Sequence, residues 1–201
     1  VIVYGDTNST LAGALAAAKI HIPIAHIEAG LRSFNMQMPE EVNRILTDRL
    51  STLLFCPTQT AVDHLNKEGY ENFESTVEVV GDIMFDALKL FSSSLNDYKP
   101  NELPFALCTL HRAENTDDVD RLKNLCESLN TIAEDLQIIL PFHPRTKKRI
   151  ADEGIVLNSK VKILEPLSYI DFITYMRYSE LVISDSGGIQ KEAYFLHKNC
   201  I

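Results

Sequence analysis

Short apolar runs, each followed by a polar turn and a helix-length stretch, recur along the whole of this 201-residue chain. That alternation constrains the fold more than any other feature. A strand, a helix and a second strand close into one sheet as a parallel pair with a crossover, right-handed in nearly all cases. Strands are expected at residues 1–4, 22–27, 53–56, 77–80, 105–110, 137–142, 161–164 and 181–184. Helices are expected at residues 11–20, 39–50, 60–67, 81–91, 117–133, 145–151, 169–177 and 189–196. The pattern breaks once. Ser92-Ser93-Ser94, Asn96-Asp97, Pro100-Asn101 and Pro104 are loop chemistry, and a domain boundary is placed there. The expected fold class is therefore α/β, with two successive doubly wound, Rossmann-like domains at residues 1–95 and 104–201.

Within that frame one stretch stands out, Ser184-Asp185-Ser186-Gly187-Gly188-Ile189-Gln190-Lys191-Glu192. The apolar run Leu181-Val182-Ile183 leads into it as a buried strand, and Ser186 is a good N-cap. Gly187 and Gly188 let the backbone approach a ligand, and a helix start offers N–H donors and the positive end of a dipole. The combination suits a phosphate. Glu192, about one turn after Gly188, suits a ribose diol, because a carboxylate accepts two hydroxyl donors. A tight strand-to-helix turn with no ligand is the other reading of the same residues.

Charge and cysteine content narrow the partners. The formal net charge is −9, from 28 acidic and 19 basic residues, which argues against nucleic acid as the main partner. No apolar run approaches membrane-spanning length and no basic-then-apolar leader is present, so no membrane partner is expected. Cys56, Cys108, Cys126 and Cys200 show no paired short spacing. They read as buried free thiols of a cytoplasmic protein rather than a zinc site or a disulfide framework. The chain opens without Met in a strand-like run and stops at Cys200-Ile201 as another begins, which reads as an internal piece of a longer protein.

In open parallel sheets ligands sit at the carboxyl ends of the strands. Four clusters fall there: Gly5-Asp6-Thr7, His26-Ile27-Glu28-Ala29-Gly30, His111-Arg112-Ala113-Glu114 and Phe142-His143-Pro144-Arg145. Taken singly, Asp6 could cap a helix, Glu28 could pair with Arg32, and His143 could be a satisfied loop histidine. Taken together with Ser186-Gly187-Gly188, they point to a cleft between two domains that performs acid–base chemistry. Gly5-Asp6-Thr7 lacks the glycines of a dinucleotide fingerprint, and there is no Walker loop. No helical histidine pair supports a metal, and neither Asp185-Ser186-Gly187 nor Gly5-Asp6-Thr7 matches a nucleophile elbow.

The ordered set Gly5-Asp6-Thr7, His26-Ile27-Glu28-Ala29-Gly30-Leu31-Arg32, Pro39-Glu40-Glu41-Val42-Asn43-Arg44, His111-Arg112 and Ser184 to Glu192 closely resembles the non-hydrolysing UDP-N-acetylglucosamine 2-epimerases. The resemblance covers essentially the whole chain. It implies the glycosyltransferase-B architecture, two Rossmann-like domains with the active site between them, the second binding UDP. It implies removal of the proton at sugar carbon 2, expulsion of UDP to give a 2-acetamidoglucal, and re-addition after reprotonation on the other face. Asp6, Glu28 and Glu40 match the family's catalytic carboxylates and His111 its catalytic histidine. Ser186, Gly187 and Gly188 would hold the diphosphate, Glu192 the ribose, and Arg112 and His143 a phosphate or the substrate. No cofactor and no metal are implied, and the family suggests a homodimer that supplies nucleotide sugars for surface polysaccharide.

The family's basic first-strand motif would lie before Val1 and its return segment beyond Ile201. Leu110-His111-Arg112-Ala113-Glu114-Asn115 and Asn35-Met36-Gln37-Met38 resemble the branch that includes UDP-2,3-diacetamido-glucuronate 2-epimerases, whose sugar carboxylate calls for a cation such as Arg145 or Arg32. A hydrolysing relative, a glycosyltransferase of the same fold and a catalytically dead nucleotide-binding module are the remaining alternatives. The isolated 201-residue chain is expected to leave UDP-N-acetylglucosamine unchanged. Chromatography of the nucleotide sugars after incubation checks this, and turnover by the chain alone overturns it.

Overall fold

The computed structural model describes residues 1–92, 99–100, 103–110, 112–142 and 144–201. The candidates His111 and His143 lie outside the described residues, as does the side chain of Arg145. The chain divides into two compact units, Val1–Asp86 and Ala87–Ile201.

In the first unit the apolar runs become β1 (Ile2–Tyr4), β2 (Ala25–Ile27), β3 (Leu53–Cys56) and β4 (Thr76–Val79), all parallel and in chain order across one sheet. Helices α1 (Asn8–Lys19), α2 (Pro39–Leu50) and α3 (Gln59–Lys67) connect them, and α4 (Ile83–Ser92) follows. Expectation and structure differ where local chemistry intervenes. α1 begins three residues early because Thr7 Oγ1 caps it, accepting from the Thr10 N–H at 3.3 Å. β2 is shorter than expected because Pro23 has no N–H to give the ladder, while the Ile22 N–H turns back to the Ala17 carbonyl at 3.0 Å. A 3-10 turn at Tyr70–Asn72 had no signal in the sequence pattern.

Small residues bring α1 close to β1. Ala14 and Ala17 are buried with Val3 and Ile24, and a Cβ on Gly13 would sit 3.5 Å from Val3 Cγ1. α2 behaves differently. Its buried residues are Glu41, Asn43, Thr47 and Asp48, all polar, while Leu46 on its apolar side is exposed.

The second unit holds β5 (Phe105–Thr109), β6 (Gln137–Pro141), β7 (Val161–Leu164) and β8 (Leu181–Ser184), again parallel, in the order β7-β6-β5-β8. Its helices are α5 (Ala113–Thr116), α6 (Val119–Asp135), α7 (Pro144–Asp152), α8 (Tyr169–Tyr178) and α9 (Gly187–Phe195). The short α5 was not expected, and α6 starts at Val119 because Asp118 caps it. Every residue of β5 is buried. Ala106 and Cys108 face a cluster with Leu122, Cys126, Leu129 and Leu140, while Phe105 and Leu107 face Ile139, Met176, Val182 and Ala193. Both faces of the sheet are therefore covered, as a doubly wound sheet requires.

Cys56, Cys108 and Cys126 are buried free thiols and Cys200 is partly exposed. Burial pushes the thiols of Cys56 and Cys108 up to about 12, so both remain protonated and inert. Among the described residues no helix is long and apolar enough to cross a membrane.

Two of the four glycines with left-handed backbone in the first unit sit in contrasting surroundings. Gly5 has φ +67 with open space where a Cβ would lie, whereas at Gly30 (φ +77) a Cβ would lie 2.5 Å from the Ala61 carbonyl oxygen. Gly5→Ala is therefore expected to cost about 1–2 kcal/mol, the backbone term alone. Gly30→Ala should cost clearly more, because the Ala61 backbone must also shift. Paired urea melts check the ranking.

Candidate functional site

At the carboxyl edge of the first sheet, β1 and β2 deliver two of the sequence candidates side by side. The turn after β1 is tied to β2 by the Gly5 N–H, which donates to the Ile27 carbonyl at 3.1 Å. Glu28 follows β2 directly, with its N–H on the Phe55 carbonyl at 3.1 Å. Its φ is +73, a left-handed conformation for a non-glycine residue, which costs about 1–3 kcal/mol and survives only where the surroundings over-determine it. Tyr4 donates its hydroxyl to Glu28 Oε2 at 3.2 Å. Burial, then the carboxylates of Glu28, Asp82 and Asp6, push the Tyr4 phenol up to about 12. Tyr4 thus stays a protonated donor at neutral pH, with all three acids in its field.

α2 organises the rest of this edge. Pro39 sits at its first turn with Glu40 and Glu41, where the helix dipole favours acids. Glu40 is exposed there. Glu41 points inward, accepting from the N–H of Ser33 (3.0 and 2.9 Å) and of Phe34 (2.8 Å), with Arg44 3.2 Å away. Burial raises the Glu41 carboxyl, but these donors outweigh it and hold the carboxyl below its ordinary value. Asn43 Nδ2 donates to the Asp6 carbonyl and to Asn8 Oδ1, both at 2.9 Å. Arg44 also pairs with the Asp6 carboxylate. Asp6 therefore does not cap α1, a role that Thr7 takes. The guanidinium of Arg32 goes to Asp48 and Glu68, at 2.7 Å each. With its side chain only 1% exposed, Arg32 has no face to offer a substrate carboxylate.

The strand order of the second sheet reverses between β5 and β8, and such a reversal is where doubly wound sheets bind ligands. The two strand ends are stitched together there. Thr109 Oγ1 meets Ser184 Oγ at 2.8 Å, and the Ser186 N–H donates to that same Ser184 oxygen at 3.0 Å. Arg112 donates through its N–H to Asp185 Oδ2 (3.0 Å) and through Nε to the Asp185 carbonyl (2.7 Å). Asn115 Nδ2 shares Asp185 Oδ2 at 2.9 Å. Ser186 caps α9, which starts at Gly187. Nothing lies within 4 Å of where a Gly187 Cβ would be, so the helix start is open in front. Beside it lies a cavity of about 380 Å³ lined by Leu110, Phe142, Pro166, Leu167, Ser186 and Ile189, among others. The structure thus brings Arg112 to the Ser186–Gly188 turn. Glu192 is buried on α9, its carboxyl hydrogen-bonded by the Tyr169 hydroxyl.

Glu41, Asn43, Tyr4, Asp185 and Tyr169 shape these edges without having been singled out as site residues. The signal for the α2 residues was available, since Glu41, Arg44 and Asp48 recur at helical spacing on one face. Among the described residues no group of three or more His, Cys, Asp or Glu side chains could hold a metal ion.

A helix start at the reversal point of a parallel sheet, with an apolar cavity beside it, defines a Rossmann-type fold, in which such an edge is where ligands bind. The sequence profile of the family described as UDP-N-acetylglucosamine 2-epimerase matches residues 1–201. The chain belongs to that family. It is 52% identical over 204 residues to the UDP-2,3-diacetamido-2,3-dideoxy-D-glucuronate 2-epimerase of Pseudomonas aeruginosa, covering 100% of this chain and 57% of that protein. It is 45% identical over 216 residues to the UDP-N-acetylglucosamine 2-epimerase of Methanocaldococcus jannaschii, covering 100% and 58%. The crystal structure of the Methanocaldococcus jannaschii enzyme in complex with UDP-GlcNAc and UDP matches with a TM-score of 0.83 at 44% identity, over 100% of this chain and 58% of that one. The chain thus spans under three-fifths of the length of these relatives. The two parallel α/β sheets are those of the glycosyltransferase-B type that these epimerases share.

Glu192 gives a pH signature. Burial raises its carboxyl above the ordinary value, and the Tyr169 hydroxyl only partly offsets this. The folded chain then keeps that proton to higher pH than the unfolded chain does. Stability is fully present below the ordinary carboxylate range and falls as pH rises through the raised value. Glu192→Gln removes this loss. Relative to wild type, the variant should gain stability between pH 4 and pH 7.5 in parallel urea melts, and an unchanged difference overturns the assignment.

Proposed function

We propose that the complete protein epimerises a UDP-2-acetamido sugar at carbon 2 without hydrolysing it, with UDP-N-acetylglucosamine and UDP-N-acetylmannosamine as the interconverted pair. A carboxylate removes the carbon 2 proton while the bond from carbon 1 to the diphosphate oxygen breaks. The electron pair of the carbon–hydrogen bond becomes the new double bond of a 2-acetamidoglucal, and UDP leaves with the other pair. Protonation of the opposite face and re-addition of UDP complete the inversion. Asp6, Glu28 and Glu40 carry the proton transfers at carbon 2 and at the leaving oxygen. The backbone at Ser186–Gly188, with Arg112, His111 and His143, stabilises the diphosphate. Glu192 takes the ribose, and the apolar cavity beside Ser186 has the size for the uracil.

The observation that carries this reading is the pairing at the first sheet's edge. Glu28 is held in strained backbone beside the turn of Asp6, both in the field of Tyr4, and local strain of this kind collects at functional sites. The family membership supplies the reaction.

A second sugar has an observation in its favour, the 52% identity to an epimerase of UDP-2,3-diacetamido-2,3-dideoxy-D-glucuronate. With Arg32 enclosed by Asp48 and Glu68, Arg145 is then the sequence candidate for the sugar carboxylate. We also read the complete protein as a cytoplasmic homodimer, which light scattering and fractionation test.

Both sugars are to be incubated with the complete protein in deuterium oxide. Solvent deuterium at carbon 2 of the true substrate is expected, with the Asp6→Asn and Glu28→Gln variants slower by about 10²–10⁴-fold in kcat. Transfer of the sugar with no exchange assigns a glycosyltransferase instead, and UDP binding with neither outcome assigns a binding module.

A further inference from the structure

The turns that bear Asp6 and Glu28 are joined through the interior of the first unit by one hydrogen-bonded chain. His26, on β2, is wholly buried, and so is Asp48, on α2. His26 Nδ1 donates to Asp48 Oδ1 at 2.6 Å, and His26 Nε2 lies 2.9 Å from the Gly5 carbonyl oxygen. The ring thus bridges a carboxylate on α2 and a carbonyl in the turn after β1. On its other oxygen Asp48 accepts from the Gly30 N–H at 3.1 Å and from Arg32 at 2.7 Å. Arg32 continues the chain to Glu68 through Nε and a terminal nitrogen, at 2.7 and 2.8 Å. The ends of the central pair are thus backbone groups of two different turns: Gly5, one residue before Asp6, and Gly30, two residues after Glu28.

We propose that His26 and Asp48 are positioning residues of the epimerisation site, a buried pair that sets the turn of Asp6 against the turn of Glu28. The inference rests on the epimerase reading above. Neither side chain is exposed, so neither touches substrate. Asp48 and Arg32 form a buried ion pair, and replacing such a pair with apolar groups of similar volume is often neutral or stabilising, so fold stability alone gives little reason for these polar groups here. Geometry does give one. Each of these polar atoms reaches a turn that carries a catalytic carboxylate, and displacements of about 1 Å at such positions are worth about 10²-fold in rate.

Two substitutions split the pair's contacts. In His26→Asn the amide nitrogen takes the place of Nδ1 and still donates to Asp48, but the Gly5 carbonyl is released. In His26→Gln the amide, one bond further out, takes the place of Nε2 and can still reach that carbonyl. Kinetics of the complete protein, UDP titration and thermal melts are read for each. For His26→Asn, kcat should fall about 10²-fold while KM and the Kd for UDP stay within about twofold, and His26→Gln should recover most of the loss. If His26→Asn does not fold, Asp48→Asn is read in its place, with the same loss confined to kcat. Wild-type kcat in the folded variants, or losses that follow the folded fraction alone, overturn the inference while leaving the epimerase reading intact. No carbon 2 exchange by the wild type overturns both.

Discussion

The first unit depends on a helix that buries its polar side. Glu41, Asn43, Thr47 and Asp48 of α2 all lie inside, and burying such groups without partners would cost several kcal/mol each. For Glu41, Asn43 and Asp48 the partners include backbone groups of turns, which no apolar side chain could satisfy, while the Thr47 hydroxyl has no partner among the described residues. Glu41 closes on Ser33 and Phe34, Asn43 on the Asp6 carbonyl, and Asp48 on Gly30. Hydrogen bonds to an ionised acceptor are the stronger kind. α2 therefore acts as a rail to which two connections are fastened, the turn after β1 and the segment between β2 and α2. The fastening also explains how Glu28 and Phe34, with φ of +73 and +58, remain in left-handed backbone that disfavours side chains.

The second unit uses different means for the same end. Its sheet is apolar on both faces, so polar chemistry is confined to the strand ends. There Ser184 and Asp185 gather the Thr109 hydroxyl, the Ser186 N–H and the Arg112 backbone into one cluster at the β5/β8 reversal. The donors of α9 remain at the open end, in front of Gly187. Acid–base groups with strained backbone belong to the first edge, and an open helix start with an apolar cavity belongs to the second.

Much of this was legible in the sequence, for a definite reason. Strands 53–56, 161–164 and 181–184 and the helix beginning at Pro39 coincide with expectation, because each is bounded by strong local chemistry: short apolar runs, a proline at a first turn. The place of Asp6 and Glu28 at the carboxyl edge of the sheet was legible because each sits in the turn that ends an apolar run. What periodicity conceals is the sense of α2. Val42, Ile45, Leu46 and Leu50 form an apolar stripe that pattern alone would turn inward, yet Leu46 is 45% exposed. The polar side wins because its partners lie in loops distant in sequence, such as the Asp6 carbonyl and the Gly30 N–H, and no local pattern encodes those. The same blindness hid Tyr169, whose role depends on a carboxyl 23 residues later on another helix.

Arg44 shows how far the coupling reaches. Its guanidinium is shared between Asp6 and Glu41, and Glu41 in turn holds the Ser33–Phe34 backbone. The turn with Asp6 and the loop leading to Glu40 are therefore joined through one cation. Its Nε is buried with no hydrogen-bond partner among the described residues, an omission worth about 1–3 kcal/mol. A side chain chosen for stability alone would not carry that loss. Held by two carboxylates on different segments, the guanidinium ties the Asp6 side chain to α2. It also links any displacement of the loop before α2 to the position of Asp6.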